Sequence, residues 1–164
     1  MSYMRFAGMI LVSTVIMFGL MYLNTFALDH LFYSQTRTWM ALLMGAVMAV
    51  IMIVFMWSMY PNRPLNVAIT ISAIIVFSMA LWLVRSQETV DDVSYMKAMI
   101  PHHSIAIMTS ARAHIKDPRV RKLADGIIDA QVREIKEMKD LIADLERNPT
   151  PRSASDLPPG VATE

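Results

Sequence analysis

The residues with the most chemical potential in this chain are soft donors. It holds 16 methionines and 4 histidines but no cysteine, so disulfides, thiolate zinc sites, iron–sulfur clusters and a cysteine nucleophile are all excluded. Two short stretches concentrate the donors. In the first, Met96, Met99, His102 and His103 follow one another at helical spacing. At roughly 100° per residue, Met96, Met99 and His103 share one side of a helix with Ile107 and His114. In the second, Gln131, Glu134 and Met138 occupy the same stripe as Ile127 and Leu141.

Polar groups within an apolar stripe cost free energy unless they are paired or liganded. Folding the two stretches back on one another at Lys116-Asp117 sets His103 at the level of Gln131, Met99 at that of Glu134 and Met96 at that of Met138. That register gathers two or three thioethers, an imidazole, an amide and a carboxylate. Thioether sulfur with imidazole is a ligand set for Cu(I), and by extension Ag(I), and suits magnesium or calcium poorly. A di-iron carboxylate site would need Glu-x-x-His pairs on facing helices. The nearest carboxylate pair, Glu134 and Glu137, has no histidine beside it. Taken singly, the methionines also serve as adaptable core packing. His103 can likewise be satisfied by a hydrogen bond to Gln131 or Glu134.

The elements that must carry these residues follow from the distribution of charge. The only acidic residue before Glu88 is Asp29, and the basic residues before Val84 are Arg5, Arg37 and Arg63. From Arg85 to Arg147 the chain carries 11 basic and 11 acidic residues. A net charge of +1 gives no footprint for nucleic acid. Three apolar stretches, Phe6 to Leu23, Trp39 to Tyr60 and Leu65 to Val84, meet the requirement of roughly 20 residues for a membrane span. Trp39, Trp57, Tyr60 and Trp82 lie near their ends, where amphipathic rings favour the interface. The turn Pro61-Asn62-Arg63-Pro64 is short enough to make the second and third spans antiparallel neighbours. Arg5, an apolar run and Thr25-Phe26-Ala27 have features of a cleaved signal peptide. The length of the run favours a retained span.

The expected fold is therefore all-α. A membrane domain over 1–85 has three transmembrane helices, and an antiparallel two-helix hairpin follows over 86–147. A proline-rich tail over 148–164 is expected to stay disordered. The first hairpin helix is expected from Val90 to Ile115. The second should start with Asp117 as its cap and Pro118 at its first position and reach about Arg147. Pro101 either starts a new helix or kinks the first one. Its expected apolar face on the second helix is Val120, Leu123, Ala124, Ile127, Met138, Leu141, Ile142 and Leu145. Two helices leave apolar surface uncovered; a second chain would complete a four-helix bundle, or the hairpin would lie against its own spans or another subunit.

Three motifs taken together carry a resemblance. They are Tyr95-Met96-Lys97-Ala98-Met99-Ile100-Pro101-His102-His103, Asp117-Pro118-Arg119-Val120, and Gln131-Val132-Arg133-Glu134-Ile135-Lys136-Glu137-Met138. Over about residues 90–146 the chain resembles the domain-of-unknown-function 305 family. The resemblance implies a ferritin-like helical fold, extracytoplasmic placement at a bacterial inner membrane, and copper or silver binding as in some relatives. It marks Met96, Met99, His102, His103, Gln131, Glu134 and Met138 as the metal residues.

The functional expectation is a membrane-anchored, extracytoplasmic copper-binding protein that stores or delivers metal and catalyses nothing. No nucleophile–base pair or phosphate-binding loop occurs in the sequence. The expected partners are the lipid bilayer, a second copy and a copper-handling protein. Three alternatives stand beside it, one of them an oxidoreductase, which would need an open metal position and redox cycling. Met40, Met44, Met48, Met52 and Met56 recur every four residues in the second span and offer a ladder for a copper transporter. A structural subunit of a membrane complex would need no metal.

Overall fold

Caps and apolar composition form five α-helices among the described residues of a computed structural model, which are residues 2–151 and 153–158. Helix α1 spans Tyr3–Leu20, α2 Gln35–Phe55 and α3 Arg63–Ser86; α4 spans Asp92–Arg112 and α5 Pro118–Arg147. Each begins on a side chain that accepts from the first-turn backbone: Ser2, Ser34, Asn62, Asp91 and Asp117. Among the described residues there is no strand. The first three helices are each long and apolar enough to cross a membrane. At about 1.5 Å per residue their lengths match a hydrocarbon layer of about 30 Å. This is a membrane protein.

The spans begin earlier than apolar composition alone predicts. Polar caps set the starts, so the first turns of α1, α2 and α3 include Arg5, Arg37 and Arg63. Arg37 is accommodated because its guanidinium donates to the Met21 carbonyl at 2.7 Å and lies 4.3 Å from the Tyr22 ring centre. Helix α2 is central, with α1 and α3 packed on it. Gly45 lets α1 approach, since a β-carbon there would overlap the Thr14 side chain. At the far end from the hairpin, fully buried Asn66 accepts from the Tyr3 hydroxyl at 2.8 Å and donates to the Tyr60 carbonyl at 3.1 Å. This ties the start of α1 to the α2–α3 turn and α3.

The hairpin has the expected topology with altered limits. Helix α4 runs unbroken through Pro101, which is buried, so the proline neither starts a new helix nor interrupts this one. It stops at Arg112, where Ala113 turns extended, and His114 falls outside the helix. The seam between α4 and α5 consists of Met96, Ile100 and Ile107 against Ile135, Met138 and Ile142. The apolar face predicted for α5 is thus only partly right. Ala124, Met138 and Ile142 are buried, whereas Val120, Leu123, Ile127 and Leu141 are exposed. The extended connector carries the first turns of α5 beyond the end of α4. The tail residues 152 and 159–164 lie outside the described residues; nearer the helix, Thr150 reaches Asp92 at 3.4 Å.

The loop between α1 and α2 fastens the hairpin to the membrane helices. Phe32 packs into the hairpin core. Fully buried Ser104 accepts from the Phe26 backbone at 2.8 Å, and its hydroxyl lies 2.9 Å from His30 Nδ1. Lys139 on α5 pairs with Asp29 at 2.7 Å. Burial lowers the His30 pKa from its ordinary 6.5; the Asp29 carboxylate opposes this shift and the Lys139 ammonium adds to it. In the neutral tautomer protonated at Nε2, the ring accepts the Ser104 proton at Nδ1. Because the folded form disfavours the imidazolium, the clasp is intact above 6.5 and weakens as pH falls below it. Hydrogen exchange of the Phe26–His30 backbone, once corrected for the intrinsic pH dependence of amide exchange, should therefore accelerate (lower protection factors) on acidification from pH 7.5 to about 5.5. Ser104→Ala should accelerate it at every pH and cost about 1–3 kcal/mol of docking stability. Exchange that is indifferent to both changes would show that the clasp bears no load.

Candidate metal centre

Two neighbouring turns of α4 and two of α5 build the site. The seam residues Ile100, Ile107, Ile135 and Ile142 fix the rotation of both helices, and this turns Met96, Met99 and His103 towards Glu134 and Met138. All five line one open cavity of about 410 Å³. Asp92, Tyr95, Glu137, Leu141 and Leu145 complete its wall. Met96 and Met138 are buried. Among the described residues, no group of three or more His, Asp and Glu side chains gathers to hold a metal ion. The donor set here is instead three thioethers, one imidazole and carboxylates.

His103 is the pivotal side chain of this candidate site. Its Nδ1 stands 3.1 Å from Glu134 Oε2, yet this buried nitrogen forms no hydrogen bond of acceptable geometry. The carboxylate is near enough to attract a cation but is misaligned for the imidazole. Burial lowers the His103 pKa, against the opposing pull of Glu134, and the His102 ring lowers it further. The net shift favours the neutral ring, which has a lone pair on one nitrogen.

The sequence-based pairing needs a shift of about one helical turn. His103 meets Glu134 rather than Gln131, because α4 ends before the connector and α5 begins beyond it. Gln131 stands behind the carboxylate, its Nε2 donating to Glu134 Oε2 at 3.3 Å. His102 lies apart from the cavity. It is exposed and lines a smaller pocket with Arg37 and Gln87, at the ends of the membrane helices. Met99 borders both spaces. Of the seven sequence-marked residues, the structure thus brings five to one cavity, places Gln131 behind it and His102 outside.

Some contributors escaped the sequence reading. Glu137 was visible only as the neighbour of Glu134, and Asp92 only as a residue of a helix's first turn. Ser104 and the α1–α2 loop gave one faint signal: Asp29 is the lone acid in an otherwise apolar half. The methionine ladder does not coincide with the large groove between the membrane helices. On α2 that groove is lined by Leu42, Gly45, Ala46 and Ala49, and by none of the ladder methionines.

Comparison with known proteins finds relatives of this chain. Residues 92–162 match the family model described as domain of unknown function (DUF305). An uncharacterised protein of Acanthamoeba polyphaga mimivirus is 38% identical over 106 residues, which cover 63% of this chain and 68% of the relative. The chain belongs to the DUF305 family. No solved structure matches it. In this DUF305 protein the family motif supplies α4 and α5, and the three apolar helices supply the anchor.

Proposed function

We propose that this DUF305 protein binds Cu(I) or Ag(I) in the hairpin cavity and serves as a membrane-anchored store or delivery point for the metal. The observation that carries the reading is the buried His103 Nδ1. It lacks a well-formed hydrogen bond and stands among Met96, Met99, Met138 and Glu134. Thioether and neutral imidazole donors favour a soft monovalent cation over zinc or magnesium. Glu134 supplies a compensating charge and Gln131 orients it. His102, at the membrane-facing edge, is positioned to receive or pass metal rather than to hold it with the others.

The placement we propose is a bacterial inner membrane, with the hairpin and the α1–α2 loop on the extracytoplasmic side. Lys139–Asp29 and Ser104–Phe26 oblige these two elements to share a side. A soft-metal sink is of most use where incoming metal is met. In this reading the partners are the bilayer and an extracytoplasmic copper-handling protein, and no catalytic step is required. A transporter built on the α2 methionines has less support, since the membrane groove bypasses them.

Two measurements test the proposal. Replacing Met96, Met99 and Met138 by leucine keeps volume and apolarity, at a cost in stability of under about 1.5 kcal/mol for each exchange. With His103→Gln added, Cu(I) affinity should fall by more than about 100-fold. Leucine at Met44, Met48 and Met52 should leave binding unchanged. If the hairpin variant binds as before and the span variant does not, metal handling belongs to the ladder. A reporter active only outside the cytoplasm should work when fused after Glu164, and one restricted to the cytoplasm should stay silent. The reverse pattern would invert the orientation.

A further inference from the structure

The hairpin leaves a second apolar stripe on α5 without a partner. Val120, Leu123, Ile127 and Leu141 are 49%, 66%, 36% and 47% exposed, and they follow the helical repeat on a face adjacent to the α4 seam. Leu141 and Glu134 of this stripe belong to the wall of the metal cavity, so the cavity opens onto it. Beside the stripe the charge is polar along the helix. Arg119 and Lys122 flank its beginning, and Glu137, Asp140 and Asp144 flank its end.

We propose that a second copy of this chain packs on that stripe, its α5 antiparallel to the first, and closes both metal cavities. The twofold axis passes beside Ala130 and Gln131. Val120 then meets the partner's Leu141, Leu123 meets the partner's Met138, and Ile127 meets the partner's Glu134. In this register Arg119 falls between the levels of the partner's Asp140 and Asp144, and Lys122 falls one residue from the level of the partner's Asp140. A parallel pairing would instead set basic against basic and acidic against acidic. Gly126, with open space above it, and Ala130 leave room at the centre for close approach. Each chain's Leu123 and Ile127 cover the other's cavity, so the partner supplies the missing wall of the site.

The attachment of the hairpin agrees with this arrangement. Helix α4 touches the ends of the membrane helices at His102 and the α1–α2 loop at Ser104, and Lys139 of α5 reaches the same loop. The hairpin therefore lies across the end of the membrane bundle instead of projecting from it. Two chains in one membrane are related by an axis along the membrane normal, and helices lying across that axis meet antiparallel. Closure of the site rests on the metal-binding reading above; the dimer does not.

The absence of native cysteine makes cross-linking a clean test. It uses the full chain in membrane vesicles without added metal. When Leu123→Cys and Glu137→Cys chains are co-expressed, oxidation should link the two variants to each other. Leu123→Cys alone should not link to itself, because the antiparallel register separates the two copies of that position by about 22 Å. Ala130→Cys alone should link to itself. Lys122→Glu should lower the yield at Ala130→Cys, and Asp140→Lys in the same chain should restore it. Self-linking at Leu123→Cys, or no product at any of these positions, would overturn the proposal. Linked dimers that fail to bind Cu(I) would leave the dimer standing and remove the metal function.

Discussion

The seam between α4 and α5 is the constraint on which the rest depends. Ile100, Ile107, Ile135 and Ile142 are almost fully buried, and burial of such side chains is worth about 1.5–3 kcal/mol apiece. Rotating either helix to improve the donor geometry would expose them. The positions of Met96, Met99, His103, Glu134 and Met138 are consequences of that packing. Branched aliphatic side chains hold the helices rigidly, and the thioethers between them remain adaptable. A rigid frame with soft, movable donors suits a cation of flexible coordination.

The same seam explains why the hairpin cannot stand apart from the membrane helices. Two helices alone leave Phe32, Phe26 and His30 as necessary cover for one edge of α4, and the buried Ser104 hydroxyl requires partners there. The loop therefore contributes to hairpin stability as well as to anchorage. At the other end, Asn66 plays a comparable part: a fully buried amide within hydrocarbon is expensive unless bonded, and Tyr3 and Tyr60 bond it. Polar knots at both ends hold an otherwise slippery apolar bundle in one register. Between them, small residues such as Gly45 and Ala49 allow close helix approach.

The electrostatics of the cavity follow from partial burial. Desolvation favours the neutral form of His103 despite the nearby Glu134 carboxylate. A neutral imidazole beside a carboxylate, with no well-formed hydrogen bond between them, is an arrangement that a cation relieves. His102, one residue away but about 100° round the helix, is solvated and belongs to a different surface. Adjacent histidines in the sequence thus meet different environments in the fold.

Much of this was legible in the sequence because it rests on local physics. Apolar runs of membrane length gave the three spans, and Asp117-Pro118 placed the start of α5 at its observed residue. Helical periodicity put Met96, Met99 and His103 on one face of α4. The facing level on α5 was not legible. It depends on where α4 stops and how far an extended connector travels, and Ala113 leaves the helix without a proline or glycine to announce it. Sequence by itself determined the all-helical class, the membrane anchor and the family motif, since hydropathy and helical spacing are properties of contiguous residues. Tertiary structure alone decided three things: that His103 faces Glu134, that His102 does not join it, and that Ser104 and the α1–α2 loop clasp the hairpin. Each of these joins residues distant in sequence, and only packing can choose among such contacts.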